Sequence, residues 1–70
     1  MWTKGKMNGF EYEIKHFDEG SVFGINEGRI SKLWMRDESG RCVANYDRGW
    51  DKRPTRAARK TYEKLVEMYN

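Results

Sequence analysis

Apolar and polar residues alternate along much of the first two thirds of the chain. Phe10, Tyr12 and Ile14 are separated by charged residues, and this period of two predicts a half-buried antiparallel strand. Phe23 and Ile25 repeat the pattern and predict a second, short strand. Both segments lie close to glycine-containing turn signals, which is typical of hairpins rather than of long crossover connections.

A third strand is predicted over residues 29–36, where the alternation is less regular. Ile30 falls on the opposite face from Leu33 and Met35 if the strand is regular. A bulge near Ser31 or Lys32 would bring these three apolar residues to the same face.

The fourth predicted strand spans about residues 41–47 and places Cys42, Ala44 and Tyr46 on one face. Turn signals separate the strands, and the last of them includes Gly40, which can adopt the left-handed conformation that a type I turn with a bulge requires. These signals occupy residues 18–21, 26–28 and 37–40.

From Pro54 onward the apolar spacing becomes helical. One continuous stripe is formed by Ala58, Tyr62, Leu65, Val66 and Tyr69. This stripe must pack against another element, and only the sheet is available. The sequence therefore predicts an α+β fold, in which an antiparallel meander of three to four strands precedes one C-terminal helix packed on one sheet face in two layers.

The pattern predicts a single domain over residues 1–70. Its parts are a flexible N-terminal segment (about 1–8), the antiparallel sheet (9–47), a loop (48–53) and the helix (54–69). Because one helix covers only one face of a sheet, the second face is left open to water or to a partner.

Composition narrows the class of protein. The single cysteine, Cys42, rules out an internal disulfide and suits a reducing compartment, so we expect a cytoplasmic protein. No apolar run is long enough for a membrane span or a secretory signal. With His16 as the only histidine, we expect no metal site, no cofactor and no catalytic centre.

Positive charge is concentrated at the predicted start of the helix. Residues 48–60 carry a net charge of +5, whereas the whole chain carries +3. Free helix amides and clustered cations together form a candidate anion site. Alternatively, acidic neighbours neutralise the block, with Arg59 and Glu63 as an ion pair. The basic residues are Arg48, Lys52, Arg53, Arg56, Arg59 and Lys60.

The third and fourth strands are expected to present a basic and aromatic stripe on the open face. A two-stranded ribbon of this kind fits the major groove of DNA, and its cations neutralise phosphates. The alternative is the reverse register, in which Trp34 belongs to the core. The stripe consists of Lys32, Trp34, Arg36, Arg41, Val43 and Asn45.

Trp50 follows Arg48-Gly49 in the predicted loop and allows two interpretations. Tryptophan is frequent at interface hot spots, which favours a recognition residue. A small domain short of aliphatic residues also needs every large apolar side chain in its core, which favours a lid.

Residues 34–69 resemble the arm-type DNA-binding domains of phage and transposon integrases, which have a three-stranded sheet followed by a helix. The similar features are Trp34–Arg36, the turn Asp37-Glu38-Ser39-Gly40-Arg41, the pair Gly49-Trp50 and the basic residues that lead into Ala57 and Ala58. The resemblance implies that the sheet enters the major groove, with Lys32, Arg36 and Arg41 as contacts.

Nearly the whole chain is also similar to small uncharacterised proteins of bacteria and their phages. The similar segments are residues 23–25, 28–34 and 46–51. This resemblance implies no known activity.

The sequence thus predicts a small non-enzymatic binding module that contacts nucleic acid through the open face and the basic start of the helix. The alternative is a protein-interaction module, either a homodimer or a phage-type accessory protein that binds a host protein. In that case Trp34 and Trp50 are the interface aromatic residues.

Overall fold

The computed structural model describes residues 1–70 as one five-stranded antiparallel sheet followed by a helix. The elements are β1 (Trp2–Met7), β2 (Phe10–His16), β3 (Ile30–Arg36), β4 (Cys42–Asp47), β5 (Trp50–Lys52) and α1 (Arg59–Tyr69). The strands lie side by side in chain order. The α+β class and the C-terminal helix are confirmed, whereas the expected three to four strands were too few.

Strand β1 occupies the segment that was expected to be flexible, residues 1–8. Asn8 (φ 53°) and Gly9 (φ 83°) both adopt the left-handed conformation that favours a two-residue hairpin turn. All residues of β1 pair with β2. The close packing needs Gly5, because a Cβ at this position would lie 2.5 Å from the hydroxyl oxygen of Tyr12.

The predicted strand at Phe23 and Ile25 is wrong. The residues between β2 and β3 form a compact loop that contains a short 3-10 turn, Ile25–Glu27. Its amides bond within the loop: Gly24 N–H donates to the Ser21 carbonyl, and Gly28 N–H donates to the Ile25 carbonyl. These donors are therefore not free to form a sheet ladder, and β2 pairs directly with β3.

The predicted bulge in β3 is confirmed. Lys15 pairs with Lys32 while His16 pairs with Ile30, so Ser31 is the extra residue. This shift brings Ile30 onto the same buried face as the apolar residues further along β3, Leu33 and Met35.

A second bulge, in β4, was not predicted. Met35 pairs with Ala44 while Arg36 pairs with Cys42, so Val43 is the extra residue. Val43 and Ala44 are consequently both buried. Cys42 turns to the face away from the helix, and the expected positions of Cys42 and Val43 are therefore wrong.

Helix α1 begins later than the predicted residue 54, and the predicted loop 48–53 contains β5. Thr55 N–H donates to the carbonyl of Val43 (3.0 Å), so the chain continues along β4 before it turns into the helix. The predicted apolar stripe is confirmed, because Ala58 and Leu65 belong to the buried core and the rest of the stripe packs against it. The eleven-residue helix is neither long nor apolar enough to cross a membrane.

Asn70 connects the loop between β2 and β3 to the sheet. Its side-chain amide donates to the carbonyl of Ile25 (3.0 Å), and its side-chain oxygen accepts from the N–H of Ile30 (3.0 Å). The backbone N–H of Asn70 also donates to Val66 (2.8 Å), which places the side chain at the end of α1.

We expect Asn70→Ala to lower the free energy of unfolding by about 1–3 kcal/mol, because it leaves the buried N–H of Ile30 without a partner and removes one of the two hydrogen bonds to the carbonyl of Ile25. Urea denaturation followed by circular dichroism measures the change. Asn45→Ala is the matched control, since Asn45 pairs on β4 through its backbone and its side chain makes no hydrogen bond. Equal losses in the two variants would contradict the role given to Asn70.

Candidate functional site

The sheet face away from α1, which we call the open face, carries mixed charges rather than a basic stripe. Because β2 lies directly beside β3, Glu11 stands opposite Arg36, whereas Glu13 stands opposite Trp34 and pairs with Lys4 of β1. From register and burial, the side chains on this face are Trp2, Lys4, Lys6, Glu11, Glu13, Lys15, Lys32, Trp34, Arg36, Cys42, Asn45 and Asp47.

The cations expected to contact DNA from β3 are already in ion pairs. Arg36 Nη2 lies 2.7 Å from Glu11 Oε2, and this hydrogen bond together with the guanidinium charge lowers the pKa of Glu11. Lys32 Nζ lies 3.6 Å from Asp47 Oδ1. The third expected contact, Arg41, is exposed in the turn between β3 and β4. The β3–β4 ribbon is therefore not a row of free cations.

Trp34 lies on the open face, which settles the choice of register. Its neighbours on adjacent strands are Glu13 and Asn45, and its ring is partly covered by the guanidinium of Arg36, whose Cζ is 4.8 Å from the ring centre. A shallow depression of about 140 Å³ separates Trp34 from Trp2. The ring is therefore half-buried but remains accessible from solvent.

Trp50 packs against the core as a lid, which is one of the two interpretations that its position in the sequence allows. Its ring makes edge contacts with Tyr46 (5.0 Å between centres) and with Tyr62 on the helix (5.5 Å). Partial burial of the Tyr62 side chain raises the pKa of its hydroxyl. Arg53 lies over the outer side of the Trp50 ring, 5.6 Å from its centre.

The basic block predicted over residues 48–60 is divided between the two ends of the sheet. Arg48 N–H donates to the carbonyl of Ser31, whereas Thr55 N–H donates to that of Val43. Ser31 and Val43 lie at opposite ends of the antiparallel β3–β4 pair. Lys52 lies between these ends, on the edge strand β5.

Four exposed cations surround the beginning of α1, a surface that we call the helix start: Arg53, Arg56, Arg59 and Lys60. None of them takes part in the three ion pairs of the structure. The alternative pair of Arg59 with Glu63 is therefore not formed. The first helical turn contains no acidic residue, and the side chain of the N-cap residue, Ala58, makes no cap hydrogen bond, although Thr55 Oγ1 accepts from the N–H of Ala58 (3.3 Å).

The opposite end of the sheet holds a cluster that the sequence analysis did not identify. Its exposed aromatic residues are Trp2 (55%), Phe23 (51%) and Phe17 (46%). They alternate with cations, and we call the whole cluster the aromatic end: Trp2, Lys15, Phe17, Phe23, Lys32 and Arg48. The prediction of a short strand at Phe23 and Ile25 concealed this cluster in the sequence.

The remaining reactive side chains do not converge. His16 Nε2 lies 2.9 Å from Thr3 Oγ1, and its ring packs against Tyr69. Cys42 is half-buried, and its thiol lies 3.5 Å from the carbonyl of Ala44. No three His, Cys, Asp or Glu side chains are grouped so that they could hold a metal ion.

Comparison with protein families gives one match, which covers residues 1–70 and is described as a domain of unknown function (DUF7678). No curated protein and no solved structure matches the chain. The match agrees with the resemblance to uncharacterised small proteins only in that no function is attached to the family.

We expect Trp50→Ala to lower the free energy of unfolding by roughly 2–3 kcal/mol, because the partly buried ring closes the core between Tyr46 and Tyr62. Trp34→Ala is the matched control, and it should cost less than about 1.5 kcal/mol because Trp34 lies outside the core. Thermal or urea unfolding of both variants measures the difference. A larger loss of stability for Trp34→Ala than for Trp50→Ala would contradict the placement of Trp50 against the core and of Trp34 outside it.

Proposed function

The chain belongs to DUF7678, a family of domains of unknown function, and we propose that it is a non-enzymatic nucleic-acid-binding module with its phosphate contacts at the helix start. The observation that carries the proposal is the unpaired state of the four cations of that surface. The chain contains eleven acidic residues, yet none lies within ion-pair distance of these cations.

The position of the cations supports a polyanionic ligand. The first backbone N–H groups of a helix lack intrahelical partners, and the helix dipole adds partial positive charge there. Cations beside this end raise the electrostatic free energy of the ligand-free protein. A phosphate at the same place accepts hydrogen bonds from the amides and relieves the repulsion.

The order of elements in residues 34–69 also supports the proposal. This segment contains β3 from Trp34 onward, β4, β5 and α1, which is the strand–strand–strand–helix order expected from the integrase resemblance. Lys32 and Arg36 are held in ion pairs, so the proposal assigns the phosphate contacts to Arg56 and Arg59 rather than to the β3–β4 ribbon.

We expect the double variant Arg56→Ala/Arg59→Ala to bind nucleic acid about tenfold or more weakly at low salt, because two phosphate contacts are lost. The slope of log affinity against log salt concentration should become shallower by roughly 1.5, since each contact contributes ~0.7–0.9 to the slope. Fluorescence anisotropy with labelled mixed-sequence DNA, single-stranded and duplex, measures both quantities.

The control is the double variant Lys4→Ala/Lys64→Ala, which removes the same charge from the edge strand and from the middle of the helix. This control should change the salt dependence of nucleic-acid binding much less than Arg56→Ala/Arg59→Ala does. The proposal fails if the wild-type protein binds neither probe at low salt, or if the two double variants weaken binding equally.

A further inference from the structure

A groove of about 340 Å³ lies at the aromatic end, between the exposed rings of Phe17 and Phe23. A domain this small normally recruits its large apolar residues into the core, so exposed aromatic rings grouped at one place indicate a binding surface. Three cations line the groove (Lys15, Lys32 and Arg48), and no carboxylate does.

The backbone that carries the two rings is held in place. The hydroxyl of Tyr46, which belongs to the core, donates to the carbonyl of Phe23 (2.7 Å). The N–H of Phe23 donates to Ser21 Oγ (3.1 Å), and the N–H of Phe17 donates to the carbonyl of Arg29 (3.0 Å). The backbone on both sides of the groove is therefore already positioned in the ligand-free protein, which lowers the entropic cost of binding.

The cations of the groove lie close to its aromatic rings. Arg48 Cζ is 4.5 Å from the centre of the Phe23 ring, and Lys15 Nζ is 5.5 Å from that of Phe17. Lys32 is paired with Asp47, but Lys15 and Arg48 have no carboxylate partner. A ligand that suits this arrangement has a flat aromatic ring and a negative charge a short distance from it.

We propose that the groove holds an unstacked base of a single-stranded nucleic acid, with Phe17 and Phe23 against the base and Lys15 and Arg48 at the adjacent phosphate. Stacking of bases on aromatic side chains beside basic residues is how proteins bind single strands with little sequence preference. A duplex does not fit, because its bases are already stacked on one another. The inference rests on the proposed function and names its substrate class.

One single-stranded nucleic acid can contact both the helix start and the aromatic end. The molecule is 33 Å long, with the helix start and the aromatic end at opposite ends of the sheet. At the ~3.4 Å per nucleotide of a stacked strand, about 12 nucleotides span about 40 Å. A flexible single strand of that length is long enough to reach both surfaces.

The test uses a fluorescein-labelled single strand of about 12 nucleotides of mixed sequence, within the usual range of single-strand site sizes, and the duplex formed with its complement. We expect Phe17→Ala/Phe23→Ala to weaken binding of the single strand about tenfold or more, with duplex binding changed less than about twofold. Phe17→Tyr/Phe23→Tyr should retain most of the affinity, because tyrosine also stacks.

Met68→Ala is the matched control, since Met68 is a similarly exposed apolar residue (53%) on the helix. Circular dichroism first checks that the double alanine variant is folded. The inference is overturned if this folded variant binds the single strand with wild-type affinity. It is also overturned if the variant loses affinity for the single strand and for the duplex equally. If Arg56→Ala/Arg59→Ala still weakens binding in that case, the proposed function stands without the groove. If the wild-type protein binds neither probe, the proposed function itself has failed.

Discussion

One helix must bury an apolar stripe against a sheet of five strands, and the rest of the structure follows from this constraint. Leu65 and Ala58 pack with the inward side chains of β2, β3 and β4 to form the core. An eleven-residue helix covers only one face of the sheet, so the other face has to be compatible with water. The open face meets this requirement with ion pairs across neighbouring strands.

The two bulges decide which residues reach the core and which reach the open face. Side chains alternate along a strand, so one extra residue inverts the direction of every side chain that follows. In β3 the extra residue is Ser31, and in β4 it is Val43. Without the second bulge, Cys42 and Val43 would exchange faces.

The pairing of neighbouring strands also determines which charged side chains meet and neutralise one another. Three of the eleven acidic residues, Glu11, Glu13 and Asp47, each pair with a cation on the open face. The helix start is left with a surplus of positive charge, and the opposite end with exposed aromatic rings beside cations. The molecule is thereby divided into a neutralised middle and two ends of different chemistry, which is why both proposals concern the ends.

Local pattern was sufficient for much of the fold. The alternation over Phe10–Ile14 correctly predicted β2, and the misalignment of Ile30 with Leu33 correctly predicted the bulge in β3. The helical stripe from Ala58 to Tyr69 correctly predicted which face of α1 is buried. Each of these patterns depends only on near neighbours in sequence. The Asn8-Gly9 pair was a readable hairpin signal for β1 that the sequence analysis did not use.

What only the tertiary structure decided depends on contacts between distant residues. Asn70 binds the loop that contains Ile25, 45 positions earlier, and this loop brings Phe23 to the surface beside Arg48. Glu11 meets Arg36 only because β2 and β3 are neighbours in the sheet. Charge counted along residues 48–60 could not show that the block divides between two ends, because that division follows from where the chain crosses the sheet.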